Sequence, residues 1–120
     1  MKVLVCEDDT MILKMIELRL KKDGYDITIA KDGKNGATMI KENKFDLIIT
    51  DLLMPFFSGL ELINLIRNEL KLQTPLIVLS SVKFEDTILK AFELGADDYI
   101  VKPFSPNELS IRVKRHIKKR

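Results

Sequence analysis

Short apolar runs alternate along this chain with longer segments in which apolar residues recur every three or four positions. A short apolar run, or strict alternation, marks a strand, and the three-to-four spacing marks one face of a helix. On that basis Lys2 to Cys6 is a strand, with Val3, Leu4 and Val5 in its centre. Met11, Ile12, Met15, Ile16, Leu18 and Leu20 predict a helix up to Lys22, with Thr10 as its N-cap and Gly24 as its left-handed stop. Asp26 to Ala30 alternates and suits a sheet edge. Asp32-Gly33 is a turn, and a helix follows from about Lys34 to Glu42 with Ala37, Met39 and Ile40 inward.

The second half repeats the scheme. Leu47, Ile48 and Ile49 form a continuous apolar run that ends on Asp51, and Pro55 bars its continuation because it has no N–H for a ladder. Ser58-Gly59-Leu60-Glu61 has the spacing of a capping box. It opens a helix carrying Leu60, Leu62, Ile63, Leu65, Ile66 and Leu70, which Thr74-Pro75 breaks. Leu76 to Leu79 is a fully apolar strand followed by Ser80-Ser81. Glu85 to Leu94 is a helix with Ile88, Leu89 and Phe92 inward, ended by Gly95. Tyr99 to Val101 is the last strand. Ser105-Pro106-Asn107-Glu108 is a second capping box, and the final helix turns Leu109, Ile111, Val113 and Ile117 inward. Strands that alternate with helices imply an α/β fold with a mainly parallel sheet covered on both faces.

Composition narrows the setting. The 120 residues suit one domain spanning 1–120 with one core. With 46% hydrophobic and 32% charged residues, disorder of the body is not expected. A net charge of +2 gives no reason to expect direct nucleic acid binding. The basic cluster Arg112, Lys114, Arg115, His116, Lys118, Lys119 and Arg120 reads as a solvated helix face or the start of a linker. Cys6 is the single cysteine, so there is no internal disulfide, and its apolar neighbours predict a buried, inert thiol. No stretch is long and apolar enough to span a membrane, no signal-peptide layout is present, and a cytoplasmic setting is expected. A lone histidine argues against a histidine metal cluster or a Ser/His/Asp triad. Neither GxxxxGK followed by Ser or Thr, nor GxGxxG, occurs.

The polar residues that follow the strands carry the chemistry. Glu7 and Asp8 follow the first strand, Asp51 the third, Ser80 the fourth and Lys102 the fifth. Sites in open α/β sheets lie outside the carboxyl ends of the strands. Any one of these residues alone reads as an ordinary solvated loop residue; the joint arrangement does not. Glu7, Asp8 and Asp51 would repel one another in a partly dry site. A hard divalent cation with oxygen ligands, such as Mg²⁺, relieves that repulsion and keeps waters for a phosphate to replace. Lys102 adds a mobile positive charge, and Ser80 a hydroxyl that can donate to an oxyanion. Together these groups suit phosphoryl transfer to a carboxylate, with Asp51 as nucleophile.

These residues also match a family. The whole chain resembles the receiver domain of two-component response regulators. Glu7-Asp8 matches its acidic pair, Asp51 its phospho-accepting aspartate, Ser80 its hydroxyl position and Lys102-Pro103 its lysine–proline pair. Met54-Pro55, Ser58-Gly59 and Gly95-Ala96-Asp97-Asp98-Tyr99 match the adjoining runs. The resemblance implies a flavodoxin-like, doubly wound (βα)5 fold with strand order 2-1-3-4-5. It implies that Asp51 takes a phosphoryl group from the phosphohistidine of a sensor histidine kinase or phosphotransfer protein. It implies Mg²⁺ held by Asp8, Asp51, the Leu53 backbone carbonyl and, through water, Glu7. Lys102 would pair with the phosphoryl group or with Asp51, across a cis bond to Pro103. Ser80 would move toward the phosphoryl group and Tyr99 would then turn inward, changing the surface of the fourth helix, fifth strand and fifth helix for a partner, an effector domain or a second copy. Catalysis would be confined to the protein's own phosphoryl transfer and slow dephosphorylation, so it is not expected to be an enzyme.

Asp9 and Asp46 lie outside this set, the first as a solvated or helix-start charge and the second as structural. Leu53 and Val82 are apolar where the family often has polar side chains, which implies a long-lived phosphoryl group. Glu93, Asp98, Arg112 and Lys114, with Glu108, fit part of a charge pattern used by dimerising relatives, whereas Ile88 interrupts it. A receiver-like interaction module that is never phosphorylated is the competing reading. An aspartyl phosphatase would want an acid where Leu53 stands.

Overall fold

A computed structural model describes residues 1–55 and 57–118. In chain order the elements are β1 (Lys2–Cys6), α1 (Thr10–Lys22), β2 (Asp26–Ala30), α2 (Gly33–Glu42), β3 (Leu47–Asp51), α3 (Gly59–Asn64), β4 (Leu76–Ser80), α4 (Glu85–Leu94), β5 (Asp98–Val101) and α5 (Pro106–Lys118). All strand pairs are parallel, in the order β2-β1-β3-β4-β5. This is the doubly wound, flavodoxin-like order that the family resemblance implies.

Alternation along the strands divides the core in two. Val3 and Val5 of β1, Leu47 and Ile49 of β3, and Ile77 and Leu79 of β4 face α1 and α5, where Leu13, Ile16, Leu20, Leu109 and Val113 meet them. Leu4, Cys6, Ile48, Leu76 and Val78 face the other side, covered by Ala37 and Ile40 of α2, Leu62 and Ile63 of α3, and Ala91 of α4. Full burial of a Leu or Ile side chain contributes about 1.5–3 kcal/mol, so both layers are needed to offset chain entropy. Edge strand β2 is only half-buried, as its alternating pattern predicts.

Several helix details differ from the sequence expectation. Asp9, not Thr10, caps α1, because its carboxylate reaches the amides of Met11 (2.9 Å) and Ile12 (3.1 Å). Met11 and Leu18 point to solvent, 82% and 74% exposed, and Leu13 takes the inward place. On α4, Ala91 is buried while Leu89 and Phe92 are exposed; on α5, Ile111 is exposed and His116 is buried. Of the basic cluster, Lys119 and Arg120 lie outside the described residues, as does Phe56 of the β3–α3 loop.

The third helix does not continue as α to Thr74. After Asn64 it widens into a π-helical turn, Leu65–Glu69, closed by Leu70 N–H donating to the Leu65 carbonyl at 2.8 Å. Arg67 ties this turn to the far side of the fold, donating to the carbonyls of Gly95 (3.0 Å) and Leu72 (2.8 Å) and to Asp97 (2.9 Å). Of the two expected capping boxes, the one at Ser58 is complete. Ser105 accepts from Glu108 N–H at 3.0 Å, but the Glu108 carboxylate turns to Arg112 instead.

The two faces of α1 give a direct check. Leu20→Ala should cost about 2–5 kcal/mol in urea unfolding, and Leu18→Ala within about 0.5 kcal/mol. Equal losses would contradict the assigned facing of this helix.

Candidate functional site

Strand register assembles the polar residues. Cys6 of β1 lies beside Thr50 of β3, so Glu7 follows next to Asp51. Asp51 lies beside Leu79, which puts Ser80 just past it. Ser80 lies beside Val101, and the Lys102 amide donates to the Ser80 carbonyl at 2.8 Å, which brings the next side chain to the same edge. The Lys102–Pro103 peptide is cis, as expected.

Glu7 is fully buried. Its Oε1 accepts from Lys102 Nζ at 2.7 Å, and its Oε2 accepts from the amides of Asp8 (3.0 Å) and Asp9 (3.2 Å). Lys102 Nζ also stands 3.2 Å from Asp51 Oδ2. Burial pushes the Glu7 carboxyl up to about 7; the Lys102 hydrogen bond opposes this and the Asp51 charge adds to it. Burial alone would lower the Lys102 ammonium, but its bond to Glu7 and the charge of Asp51 outweigh that and raise it. Asp8 is exposed at the rim of the site. Carboxylate oxygens of Glu7, Asp8 and Asp51 lie within 4.8 Å of one another, a hard oxygen donor set of the kind that Mg²⁺ takes.

The flanking residues are placed as follows. The Leu53 amide makes a long, 3.4 Å hydrogen bond to Asp51 Oδ1, and its side chain is exposed. Ser80 Oγ accepts from the Val82 amide at 3.0 Å. Tyr99, expected to turn inward only on switching, is already inward: it is 8% exposed, and its hydroxyl donates to the Val82 carbonyl at 2.8 Å. Val82 therefore holds both side chains. The Cys6 thiol is buried and pushed up to about 12, chiefly by burial and then by Asp32, which fits an inert role. Asp46 Oδ2 accepts from the Lys2 amide at 2.7 Å.

Sequence reasoning did not find the cluster under α5. Asp98 Oδ2 meets His116 Nε2 at 3.0 Å, and Asp98 Oδ1 accepts from Arg112 at 2.7 Å and from the Tyr99 amide at 2.9 Å. Burial would raise the Asp98 carboxyl, but the His116 bond, the Tyr99 amide and Arg112 together hold it below its ordinary value. The spacing of Leu109, Val113 and His116 (i, i+4, i+7) is the signal that places this histidine inward. Asp98, Arg112 and Glu108, expected to pair between copies, pair with one another inside the chain. A cleft of about 800 Å³ lies around Lys2, Phe45, Asp46 and Thr74. It is at the opposite end of the sheet from the carboxylates.

Comparison with known proteins agrees with this geometry. Residues 3–114 match the family model described as "Response regulator receiver domain". The receiver domain of the Francisella response regulator 1452 is 37% identical, with a TM-score of 0.93 over 98% of this chain and 97% of that one. A putative response regulator from Chloroflexus aurantiacus J-10-fl is 33% identical, with a TM-score of 0.90 over 98% and 97%. The chemotaxis response regulator CheY4 of Vibrio cholerae is 29% identical, with a TM-score of 0.89 over 96% and 97%. No helix among the described residues is long and apolar enough to cross a membrane. With the family model matched over residues 3–114 and near-complete structural overlap with other receiver domains, the chain belongs to the response regulator receiver domain family.

Proposed function

We propose that Asp51 accepts a phosphoryl group from the phosphohistidine of a sensor histidine kinase or a phosphotransfer protein. The observation that carries this reading is the Lys102 ammonium standing between Glu7 and Asp51, beside the three-carboxylate donor set. An Asp51 carboxylate oxygen attacks phosphorus, and the imidazole nitrogen leaves. Asp8, Asp51, the Leu53 carbonyl and, through water, Glu7 would hold Mg²⁺, which would supply positive charge where the anionic group must approach. Lys102 gives up its contact with Asp51 to hold a phosphoryl oxygen. Ser80 gives up the Val82 amide and donates its hydroxyl to another.

The output follows from that exchange. Val82 loses its bond to Ser80 while Tyr99 keeps the Val82 carbonyl, so the β4–α4 segment shifts with the inward Tyr99 as its anchor. The α4–β5–α5 surface, with Leu89 and Phe92 exposed, is read by a partner protein, an effector domain or a second copy. A homodimer on this face would rest first on those apolar side chains, because Asp98 and Arg112 are already paired.

Incubation with a small phosphodonor and Mg²⁺ should label the protein once, and Asp51→Asn should abolish labelling while keeping the fold. A folded wild type that takes no label, or an unchanged Asp51→Asn, would favour the non-phosphorylated interaction module. Leu53 and Val82 offer no side chain to hold a water, so a polar residue at Leu53 should speed loss of the phosphoryl group several-fold; an unchanged decay rate would refute that role.

Metal-free stability also has a defined pH dependence. Glu7 keeps its proton in the fold up to about 7, whereas the unfolded chain releases it near its ordinary 4.5. The unfolded state binds fewer protons between these values, so this contribution falls as pH rises through the window. The lowered Asp98 contributes in the opposite sense, but only in the acid range below its ordinary 3.8. Denaturation between pH 4.5 and 7 should show a downward slope that Glu7→Gln flattens.

A further inference from the structure

The loop after Asp51 is confined from two sides by backbone that approaches too closely for a side chain. On its inner side, Gly59 N–H donates to the Leu52 carbonyl at 2.8 Å, and a Cβ at Gly59 would lie 2.5 Å from the Asp51 carbonyl oxygen. On its outer side stands α2. A Cβ at Gly33, the first residue of that helix, would overlap the Phe57 carbonyl oxygen and lie 2.8 Å from the Phe57 carbonyl carbon.

We propose that Gly33 is a positioning residue for the metal-binding loop, setting through the Phe57 carbonyl where the Leu53 backbone stands beside Asp51. The proposal rests on the reading of Asp51, Asp8 and the Leu53 carbonyl as Mg²⁺ ligands. Three observations support it. Leu53 is joined to Asp51 by one long hydrogen bond of 3.4 Å, too weak to hold the loop by itself. Phe57 N–H donates to the Pro55 carbonyl at 2.8 Å, so a push on Phe57 is passed to Pro55, two residues from Leu53. Helix α2 has little room to retreat from the loop, because Ala37 and Ile40 pack it into the core against Leu4 and Cys6 of β1. A Cβ at Gly36, one turn further on, would lie 2.7 Å from Cys6 Sγ. Bulk added at Gly33 therefore displaces the loop, whereas bulk added at Gly36 acts on the sheet contact.

Amide NMR and Mg²⁺ titration of wild type, Gly33→Ala and Gly36→Ala separate the two. Gly33→Ala should shift the amides of Leu52, Leu53, Met54, Phe57 and Ser58 before metal is added and weaken Mg²⁺ binding about ten-fold or more, the scale of a lost supporting contact. Gly36→Ala should lower stability and leave the Mg²⁺ affinity of the folded protein unchanged. Equal weakening in both variants, or wild-type affinity in Gly33→Ala, would overturn the proposal. If Gly33→Ala does not fold, Asp32→Ala loosens the first turn of α2 without adding atoms. It should speed amide exchange at Leu53, Met54 and Phe57 and weaken Mg²⁺ binding; unchanged exchange there would overturn the proposal equally. A wild type that binds no Mg²⁺ would refute the metal reading itself, while the metal-free amide shifts of Gly33→Ala would still decide whether this glycine places the loop.

Discussion

The Lys102 ammonium between Glu7 and Asp51 is the interaction on which the rest of the site depends. A fully buried Glu7 beside a second carboxylate costs several kcal/mol unless a positive charge accompanies it. Lys102 provides that charge from β5, two strands away from β3 and three from β1 in the sheet order. The ends of three strands are thereby tied at one point. The same contact keeps Asp51 facing a cation while its oxygens stay within reach of Asp8. Structural pairing and chemical readiness are one arrangement here, since the charge that makes the buried acids tolerable is the charge a phosphoryl group would need.

The parallel sheet makes that contact possible. In-register pairing of β1 with β3, β3 with β4 and β4 with β5 delivers successive strand ends to a single edge. The apolar faces above and below fix the register, because a slip of one residue would turn core side chains into the wrong layer. Two loops border this edge. The β3–α3 loop leans on glycine contacts, and the β4–α4 segment hangs on Val82, which binds Ser80 with its amide and Tyr99 with its carbonyl. These loops therefore sit beside the site, while the Asp51 carboxylate sits at the end of β3.

The strands and the strand-end chemistry were legible in the sequence because apolar runs such as Leu47–Ile49 and Leu76–Leu79 admit one interpretation. A residue that follows such a run has a defined place at the sheet edge. Helix facing was less legible. Met11, Leu18, Leu89, Phe92 and Ile111 are all apolar and all exposed, and each sits at a spacing that helical periodicity accepts. Exposed apolar side chains are ordinary on protein surfaces, so periodicity alone cannot reject them. His116 was hidden by its basic neighbours although its spacing from Leu109 and Val113 marks it as inward. The π-helical turn depends on Arg67 reaching Gly95 and Asp97, contacts nearly thirty residues away that local pattern does not encode. The inward state of Tyr99 is a choice between side-chain positions, set by the Val82 carbonyl rather than by residue type.

Beryllofluoride, which mimics an acyl-bound phosphoryl group, tests the central claim that Asp51, Lys102 and Ser80 form one phosphoryl site. In the presence of Mg²⁺, ¹⁹F NMR should show a bound species, with amide shifts at Asp51, Ser80, Val82 and Lys102 and no bound signal without metal. A well-folded protein that gives no bound fluorine signal, or shifts confined to residues away from these strand ends, would contradict the account.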